Sequence, residues 1–249
     1  MLYNPNKKGT IILSHYRSGG TQLIQTLWLS IGEKNTTNLS EYKSHKSEFC
    51  DYLKTADKYS LILLNDSETI TKLYQDGTIN KLKDDYVIVA LERKDKINCV
   101  LSMGLWERFI AEGYFKPGIK SWTDEVMLEF HNKCKENLLP ANHVTIGKTN
   151  YPENLKRGHF LNYTMELFVQ EIKQIRSIAD EYNFFKLYYE DFEYDNEYLS
   201  TIISNIDTDW VLQKSKDMNR KIPYVSNNYL DYYVSEVADV INGWKLNEL

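Results

Sequence analysis

The sequence is poor in cysteine, and its cysteines form no pattern. Cys50, Cys99 and Cys134 are the only three in 249 residues, with no C-x-x-C pair and no histidine pattern beside them. Disulfide frameworks and structural zinc sites need ligands clustered at short spacings. The sequence therefore predicts neither, and it favours a reducing, cytoplasmic compartment.

Long apolar runs are missing as well. The N-terminal stretch MLYNPNKKGTIILS holds a basic segment but only a short apolar run. A membrane-spanning helix needs about 20 predominantly apolar residues, and a signal peptide needs an apolar segment of about 7 to 15. We expect neither a membrane segment nor a secretory signal here.

There is no excess of positive charge. Lys and Arg number 30 against 35 Asp and Glu, so the formal net charge is −5. Proteins that bind extended nucleic acid usually carry a basic face. Binding to nucleic acid is therefore not expected, and any bound polyanion must be held by a few local basic groups.

Short apolar runs alternate with longer amphipathic stretches. Strands are predicted at TIILS (10–14), SLILLN (60–65), YVIVALE (86–92) and FFKLYY (184–189). Such nearly continuous hydrophobicity is typical of parallel strands that are covered on both faces. Helices are predicted at about 67–75, 95–112 and 122–137, and the apolar spacing between Leu161 and Tyr182 predicts a long one.

This alternation predicts an α/β fold: a single domain over residues 1–249, with a central, mainly parallel sheet flanked by helices. In such folds ligands bind beyond the carboxyl ends of the strands.

The stretch HYRSGGTQL, residues 15–23, lies where the first predicted strand gives way to a helix. A helix N-terminus presents N–H groups and the positive end of the helix dipole, and it binds phosphate or sulfate. Glycines allow close approach of the backbone, and an arginine matches a tetrahedral oxyanion. The stretch predicts an anion-binding loop, with a plain helix-capping turn as the alternative; the loop comprises Arg17, Ser18, Gly19, Gly20, Thr21 and Gln22.

The same loop lacks the lysine of the nucleotide-binding motif G-x-x-x-x-G-K-[ST]. That lysine and the hydroxyl after it hold the phosphates and the magnesium ion of P-loop nucleotide-binding proteins. Its absence argues against a magnesium-dependent kinase, and no metal site is predicted.

A second basic segment, RKDKINCVLS, follows the strand YVIVALE. Arg93 comes directly after the strand, and Ser102 lies nine residues further on. An arginine at the end of a strand and a serine on the following helix are suited to clamping a second phosphate. A solvated, charged turn is the alternative interpretation.

A third segment, LYYEDF (187–192), ends the last predicted strand. Glu190 and Asp191 are acids, and acids beside a polyanionic ligand would repel it. We expect them to tie loops together by hydrogen bonds and to take no part in chemistry.

The three segments together resemble the sulfotransferases that use 3′-phosphoadenosine-5′-phosphosulfate (PAPS). YRSGGTQL is similar to the loop that holds the 5′-phosphosulfate in that family, nearest to the bacterial trehalose-sulfotransferase branch. Arg93 and Ser102 resemble the 3′-phosphate motif, although cytosolic members place the serine eight residues after the arginine, where this chain has Leu101.

The resemblance implies a P-loop sulfotransferase-like fold, PAPS as co-substrate and no metal. It further implies sulfuryl transfer to a hydroxyl of a small-molecule or carbohydrate acceptor, with Arg17 stabilising the leaving group. LSEYKSH (39–45) resembles a segment of the bacterial branch that supplies the general base, which makes Glu41 the candidate base. His45 is the alternative base, since histidine titrates near neutral pH.

Two other functions stay open from the sequence. One is a small-molecule kinase that uses ATP, and the other is a nucleotide-binding interaction module without turnover.

Overall fold

The computed structural model describes residues 1–15, 18–39, 53, 57–96, 99, 157–193 and 203. In chain order the described elements are β1 (Gly9–Ser14), α1 (Gly20–Ile31), a 3-10 turn (Glu33–Asn35), β2 (Thr36–Leu39), β3 (Tyr59–Leu64), α2 (Ser67–Gln75), α3 (Thr78–Asp85), β4 (Tyr86–Glu92), α4 (Arg157–Tyr182), β5 (Phe185–Tyr188) and α5 (Tyr189–Glu193).

Within these residues the strands form one five-stranded sheet in the order β2-β3-β1-β4-β5. Every neighbouring pair is parallel, and in the centre Ile12 of β1 lies opposite Leu63 of β3 and Val89 of β4. All six residues of β1 are buried, as expected for a strand between two parallel neighbours. The predicted parallel sheet is confirmed.

Helices cover both faces of this sheet, because successive strand side chains point to opposite sides. On one face, which we call the α1 face, Ile12, Leu63 and Val89 pack with α1 and α5. On the other, the α2 face, Ile11 and Leu13 pack with α2, α3 and the C-terminal half of α4. The predicted α/β architecture, a central parallel sheet flanked by helices, is thereby confirmed.

Glycines flank α1 at both ends, and an aspartate caps the start of α2. Gly19 and Gly32, with φ angles of +90° and +97°, flank α1, and such angles favour glycine. Asp66 caps α2, since its side chain accepts a hydrogen bond of 2.9 Å from the Thr69 N–H.

Three described elements were not predicted: the 3-10 turn, β2 and α3. In addition, Tyr189, predicted as the last residue of a strand, is the first residue of α5. β2 has the polar sequence TTNL and pairs only with β3, at the edge of the sheet, where backbone hydrogen bonds suffice without an apolar pattern. α3 is a short polar helix that begins after Gly77. The predicted helix at 122–137, and most of the one at 95–112, lie outside the described residues.

The chain divides into two compact units. The first comprises Met1–Lys94 and Glu171–Asn219, and the second comprises Asp95–Gln170 and Arg220–Leu249. The sheet and both of its covered faces belong to the first unit. Two compact units are compatible with one domain or with two, so the single domain over residues 1–249 stays a prediction. Among the described residues, no helix has the length and apolarity to cross a membrane.

Candidate functional site

The candidate site lies at the carboxyl edge of the sheet, the edge where the parallel strands end. After β1 the chain passes into α1 on one face, whereas after β3 it passes into α2 on the other face. Connections that leave neighbouring strands on opposite faces open a crevice at the strand ends, where α/β proteins bind ligands. Both phosphate-binding segments predicted from the sequence follow strands that end at this edge.

The glycines of the β1–α1 loop (residues 15–19) and of the first turn of α1 are required by close contacts. A Cβ atom on Gly19 would overlap the ring of Tyr189, and the φ angle of +90° already disfavours other residues. A Cβ atom on Gly20 would lie 2.5 Å from Leu63 Cδ1 and 3.1 Å from Ser14 Oγ. The helix therefore starts directly against the strands, with no side chain over its first peptide groups.

The N-terminus of α1 offers N–H groups to an anion. The first hydrogen bond of the helix runs from Leu23 N–H to Gly19 O at 3.0 Å, and no side chain caps the helix. The N–H groups of Gly20 and Thr21 precede that bond and have no acceptor within the helix. The Ser18 hydroxyl donates to the His15 carbonyl oxygen at 2.8 Å, so its one hydrogen holds the loop in shape.

Arg93 lies at the same edge, directly after β4. Its guanidinium carbon is 5.2 Å from the centroid of the Tyr189 ring, a cation–π arrangement. Its Nε is 3.8 Å from Glu190 Oε1, and a quarter of its side chain is exposed. The arginine is thus held at one end and accessible from solvent.

Tyr189 links the two predicted phosphate-binding segments. Its ring contacts the positions of Gly19 and Arg93 described above, and its hydroxyl donates a 3.0 Å hydrogen bond to Gln22 Oε1. The side chain is 5% exposed. One buried side chain therefore contacts both the start of α1 and the arginine after β4.

Glu190 and Asp191 hold the residue that follows Arg93. Glu190 Oε2 accepts a hydrogen bond of 2.8 Å from the Lys94 backbone N–H, and Asp191 pairs with the Lys94 ammonium group. The hydrogen bond with Asp191 raises the pKa of Lys94. These contacts confirm that the two acids tie the segments after β4 and β5 together.

A partly buried ion pair joins α4 to the end of β4. Arg176 of α4 donates two hydrogen bonds of 2.8 Å to the two carboxylate oxygens of Glu92, whose side chain is only 5% exposed. Such a two-bond arrangement fixes both position and orientation. The hydrogen bond to Glu92 raises the pKa of Arg176.

A second acidic group, Glu171 of α4, lies near the ends of β1 and β3. It hydrogen-bonds with Ser67 at the start of α2, and it lines a narrow crevice, the Glu171 crevice, formed by Ser14, Ser67, Ile70, Glu171, Gln174 and Ile175. The pKa of Glu171 is raised to about 7, mainly because burial removes solvation; the bond with Ser67 opposes the shift, and the charge of Asp66 adds to it. The carboxyl therefore changes its charge near neutral pH.

Several predicted site residues lie outside the described residues, namely Arg17, Glu41, His45 and Ser102. Of the described ones, Gly19, Gln22 and Arg93 lie against the Tyr189 side chain. Among the described residues there is no group of three or more His, Cys, Asp or Glu side chains that could hold a metal ion.

Sequence reasoning missed Tyr189 and Glu171. Tyr189 lies within the third segment, LYYEDF, but its role depends on contacts with residues that are 96 or more positions away in sequence. Glu171 left a faint signal: it falls three residues after Phe168 and four before Ile175, inside the apolar stripe of the long helix. A lone acid within such a stripe indicates a specific environment.

Comparisons with known proteins find only a distant structural similarity. No protein-family model matches it, and no curated protein matches it. Among solved structures it is similar to the crystal structure of mouse sulfotransferase SULT7A1 complexed with PAP, with 13% sequence identity and a TM-score of 0.32. The alignment covers 97% of this chain and 89% of that one. At this distance the likeness assigns neither an activity nor a family to the chain.

Proposed function

We propose that the protein is a PAPS-dependent sulfotransferase that transfers a sulfuryl group to a hydroxyl of a small-molecule or carbohydrate acceptor. The whole chain, residues 1–249, would then act as one sulfotransferase-like domain, in the cytoplasm. The proposal rests on the three sequence segments 15–23, 93–102 and 187–192, and on the geometry of those of their residues that the structure describes.

The observation that carries it is the contact of one side chain, Tyr189, with both of the segments predicted to bind phosphate. The start of α1 contacts the ring at Gly19, and the Arg93 guanidinium lies 5.2 Å from its centroid. Two separate elements of this kind beside one ring match a ligand with phosphate groups at two positions of a nucleoside, rather than a ligand with a single phosphate chain. The desulfonated co-substrate 3′,5′-bisphosphoadenosine (PAP) is such a ligand.

The residues present are of the kind that such a ligand requires. Gly19 and Gly20 leave the backbone bare at the positive end of a twelve-residue helix, which suits the 5′-phosphosulfate. Arg93 offers a partly exposed guanidinium to the 3′-phosphate. Ser102 is the proposed second ligand of that phosphate.

The chemistry would be an in-line displacement at sulfur, catalysed mainly by positioning and electrostatic stabilisation, as in phosphoryl transfer. Arg17 and the N–H groups of residues 18–22 would stabilise the negative charge that develops on the leaving phosphate oxygen. A base must take the proton of the acceptor hydroxyl, and the sequence offers Glu41, with His45 as the alternative.

An ATP-dependent kinase is the rival enzyme. It would lack the lysine that cradles β- and γ-phosphates, and Arg93 would have no 3′-phosphate to meet. A nucleotide-binding module without turnover would keep the same loop and arginine and would differ only in lacking a proton acceptor.

Thermal unfolding in the presence of PAP or of ATP with Mg²⁺ distinguishes the sulfotransferase from the kinase. A ligand that binds the native state at 100 times its Kd stabilises it by about 2.7 kcal/mol. We expect PAP to raise the melting temperature more than ATP–Mg²⁺ at equal concentration, and the reverse order would refute the assignment. Sulfate transfer from PAPS across a panel of hydroxyl acceptors then tests for turnover, and binding without any turnover would favour the interaction module.

A further inference from the structure

The Glu171 crevice combines a titratable acid with hydroxyl and amide groups at the carboxyl edge of the sheet. Ser14, Ser67 and Gln174 supply the polar groups, and Ile70 and Ile175 supply the apolar walls. Ser14 is the last residue of β1, and its Oγ lies 3.1 Å from the place where a Cβ on Gly20 would be. The crevice therefore adjoins the start of α1, where the transferred group is proposed to lie.

The acid is placed there by two helices. α2 begins at Ser67, which hydrogen-bonds Glu171, and Gln174 Nε2 donates a 2.7 Å hydrogen bond to Thr71 Oγ1 one turn further along α2. These bonds hold α4 against α2 and place Glu171 in the lining of the crevice. A reacting group needs support of this kind from its neighbours.

The charged surroundings favour exchange of a proton at Glu171. Among the described residues the charged group that acts on its carboxyl is Asp66, which caps α2 and raises the pKa. The other lining side chains of the crevice are uncharged. An acid without a compensating cation destabilises the folded state when it ionises, and residues of this kind are concentrated at functional sites.

We propose that Glu171 is the group that accepts the proton of the acceptor hydroxyl, an inference that rests on the proposed function. As the acceptor oxygen forms its bond to sulfur, its O–H bond breaks and the proton passes to the Glu171 carboxylate. The bond between sulfur and the bridging phosphate oxygen breaks with its electron pair on PAP. This assigns to Glu171 the role for which the sequence offered Glu41 and His45.

The test is the pH dependence of sulfuryl transfer from PAPS for the wild type and for Glu171→Gln, measured with acceptors from the panel and with water. We expect the wild-type kcat to fall below about pH 7, since the base must be ionised. Glu171→Gln should lower kcat at pH 7.5 by about 10²- to 10⁴-fold, lose the acid limb, and bind PAP within about 3-fold of the wild type.

Three further variants serve as controls. Glu181→Gln changes an exposed acid on the same helix, which bonds the Tyr74 hydroxyl, and it should leave kcat and the pH profile unchanged. Glu171→Asp keeps a carboxyl and should retain an acid limb at reduced kcat, which distinguishes proton transfer from a loss of folding. Glu41→Gln should retain the acid limb as well.

An acid limb that survives in Glu171→Gln, or a kcat within about 3-fold of the wild type, would overturn the role of Glu171 and leave the sulfotransferase assignment standing. Failure of the wild type to bind PAP in a calorimetric titration would instead remove the proposed function itself. Binding of PAPS by the wild type without sulfate transfer to any acceptor, water included, would contradict both the role of Glu171 and the sulfotransferase activity, and would favour the interaction module.

Discussion

Tyr189 makes three contacts with one side chain, and each has a separate physical role. The ring limits what residue 19 can be, the ring face attracts the Arg93 guanidinium, and the hydroxyl satisfies Gln22 Oε1. Removing the hydroxyl and removing the ring should therefore have different effects.

Tyr189→Phe removes the hydrogen bond to the buried Gln22 side chain and keeps the ring. We expect the free energy of unfolding to fall by roughly 1–2 kcal/mol and the affinity for PAP to change by less than about 3-fold. Tyr189→Ala should weaken PAP binding by more than about 10-fold. Urea denaturation and calorimetric titration measure the two quantities.

Tyr188→Phe is the matched control for Tyr189→Phe. Tyr188 is partly exposed and its ring lies beside Lys94, so loss of its hydroxyl should alter neither quantity. Equal effects of the two Tyr-to-Phe changes would contradict a linking role for Tyr189.

Glu171 makes the stability of the fold depend on pH. Its pKa rises from the ordinary value of 4.5 to about 7 on folding, so between these values the folded state binds more protons than the unfolded state. The free energy of unfolding therefore falls as pH rises through this window, and the loss is complete above pH 7. Allowing for partial exposure, the loss amounts to roughly 1–3 kcal/mol.

Glu171→Gln should remove this dependence and make the protein more stable than the wild type at pH 8. Urea denaturation of both proteins at pH 5 and pH 8 measures the difference between them. Glu181→Gln serves as the control and should keep the wild-type dependence. A variant with the same pH dependence as the wild type would contradict the raised pKa.

At the scale of single residues the sequence predicted chemistry where a motif is local. The sequence predicts Ser18, Gly19 and Gly20 as site residues because one short segment contains the whole loop. Tyr189 and Glu171 act through partners that are distant in sequence, and only the packing of α4 and α5 brings them to the carboxyl edge.

The helices α1 and α3 offer a matched pair of N-terminal glycines. Gly19 and Gly77 both precede a helix with positive φ angles, but a Cβ on Gly77 would meet nothing within 4 Å, whereas a Cβ on Gly19 would overlap Tyr189. The backbone strain is therefore shared, and the contact with the ring is specific to α1.

Gly77→Ala should lower the free energy of unfolding by roughly 1–2 kcal/mol, the cost of placing a Cβ in the left-handed region. Gly19→Ala should cost roughly 1–3 kcal/mol more, since overpacking adds to that strain, and should weaken PAP binding. Denaturation and titration test both variants. Equal costs together with unchanged PAP affinity would argue against the close packing of the loop.

The ion pair between Arg176 and Glu92 joins α4 to the end of β4. Arg176→Met leaves Glu92 without its two-bond partner in buried surroundings, and we expect a loss of roughly 2–4 kcal/mol. Lys186→Met breaks the exposed pair with Asp180 and should cost less than about 1 kcal/mol. Similar losses of unfolding free energy in the two variants would contradict the larger contribution expected from the pair with the buried Glu92.

Elements were predictable in proportion to their apolar pattern. β1, β3 and β4 carry long buried runs, and α2 has both a cap and an amphipathic repeat, so the sequence indicated each of them. β2 and α3 are short and polar, and they form because β3 supplies hydrogen bonds to β2 and Ile79 of α3 packs on the α2 face. That information lies outside the elements themselves.

For the molecule as a whole, the alternation of strands and helices sufficed to predict the parallel sheet with helices on both faces. The strand order was not predicted, because it depends on which neighbours each buried strand chooses. That order places β1 between β3 and β4, which brings the start of α1, the Glu171 crevice and Arg93 to one edge.

The central claim is that one ligand is held at its 5′ end by the start of α1 and at its 3′ end by Arg93. Calorimetric titration of PAP and of adenosine 5′-monophosphate into the wild type and Arg93→Ala tests it most directly. Lys186→Ala is the control for the loss of one positive charge.

The account predicts that the wild type binds PAP about 10- to 100-fold more tightly than the monophosphate, as expected for one charge-assisted contact. Arg93→Ala should reduce that preference by about 10-fold or more without changing the affinity for the monophosphate, and Lys186→Ala should preserve it. Equal affinity of the wild type for the two nucleotides, or a preference that is undiminished in Arg93→Ala, would contradict the account.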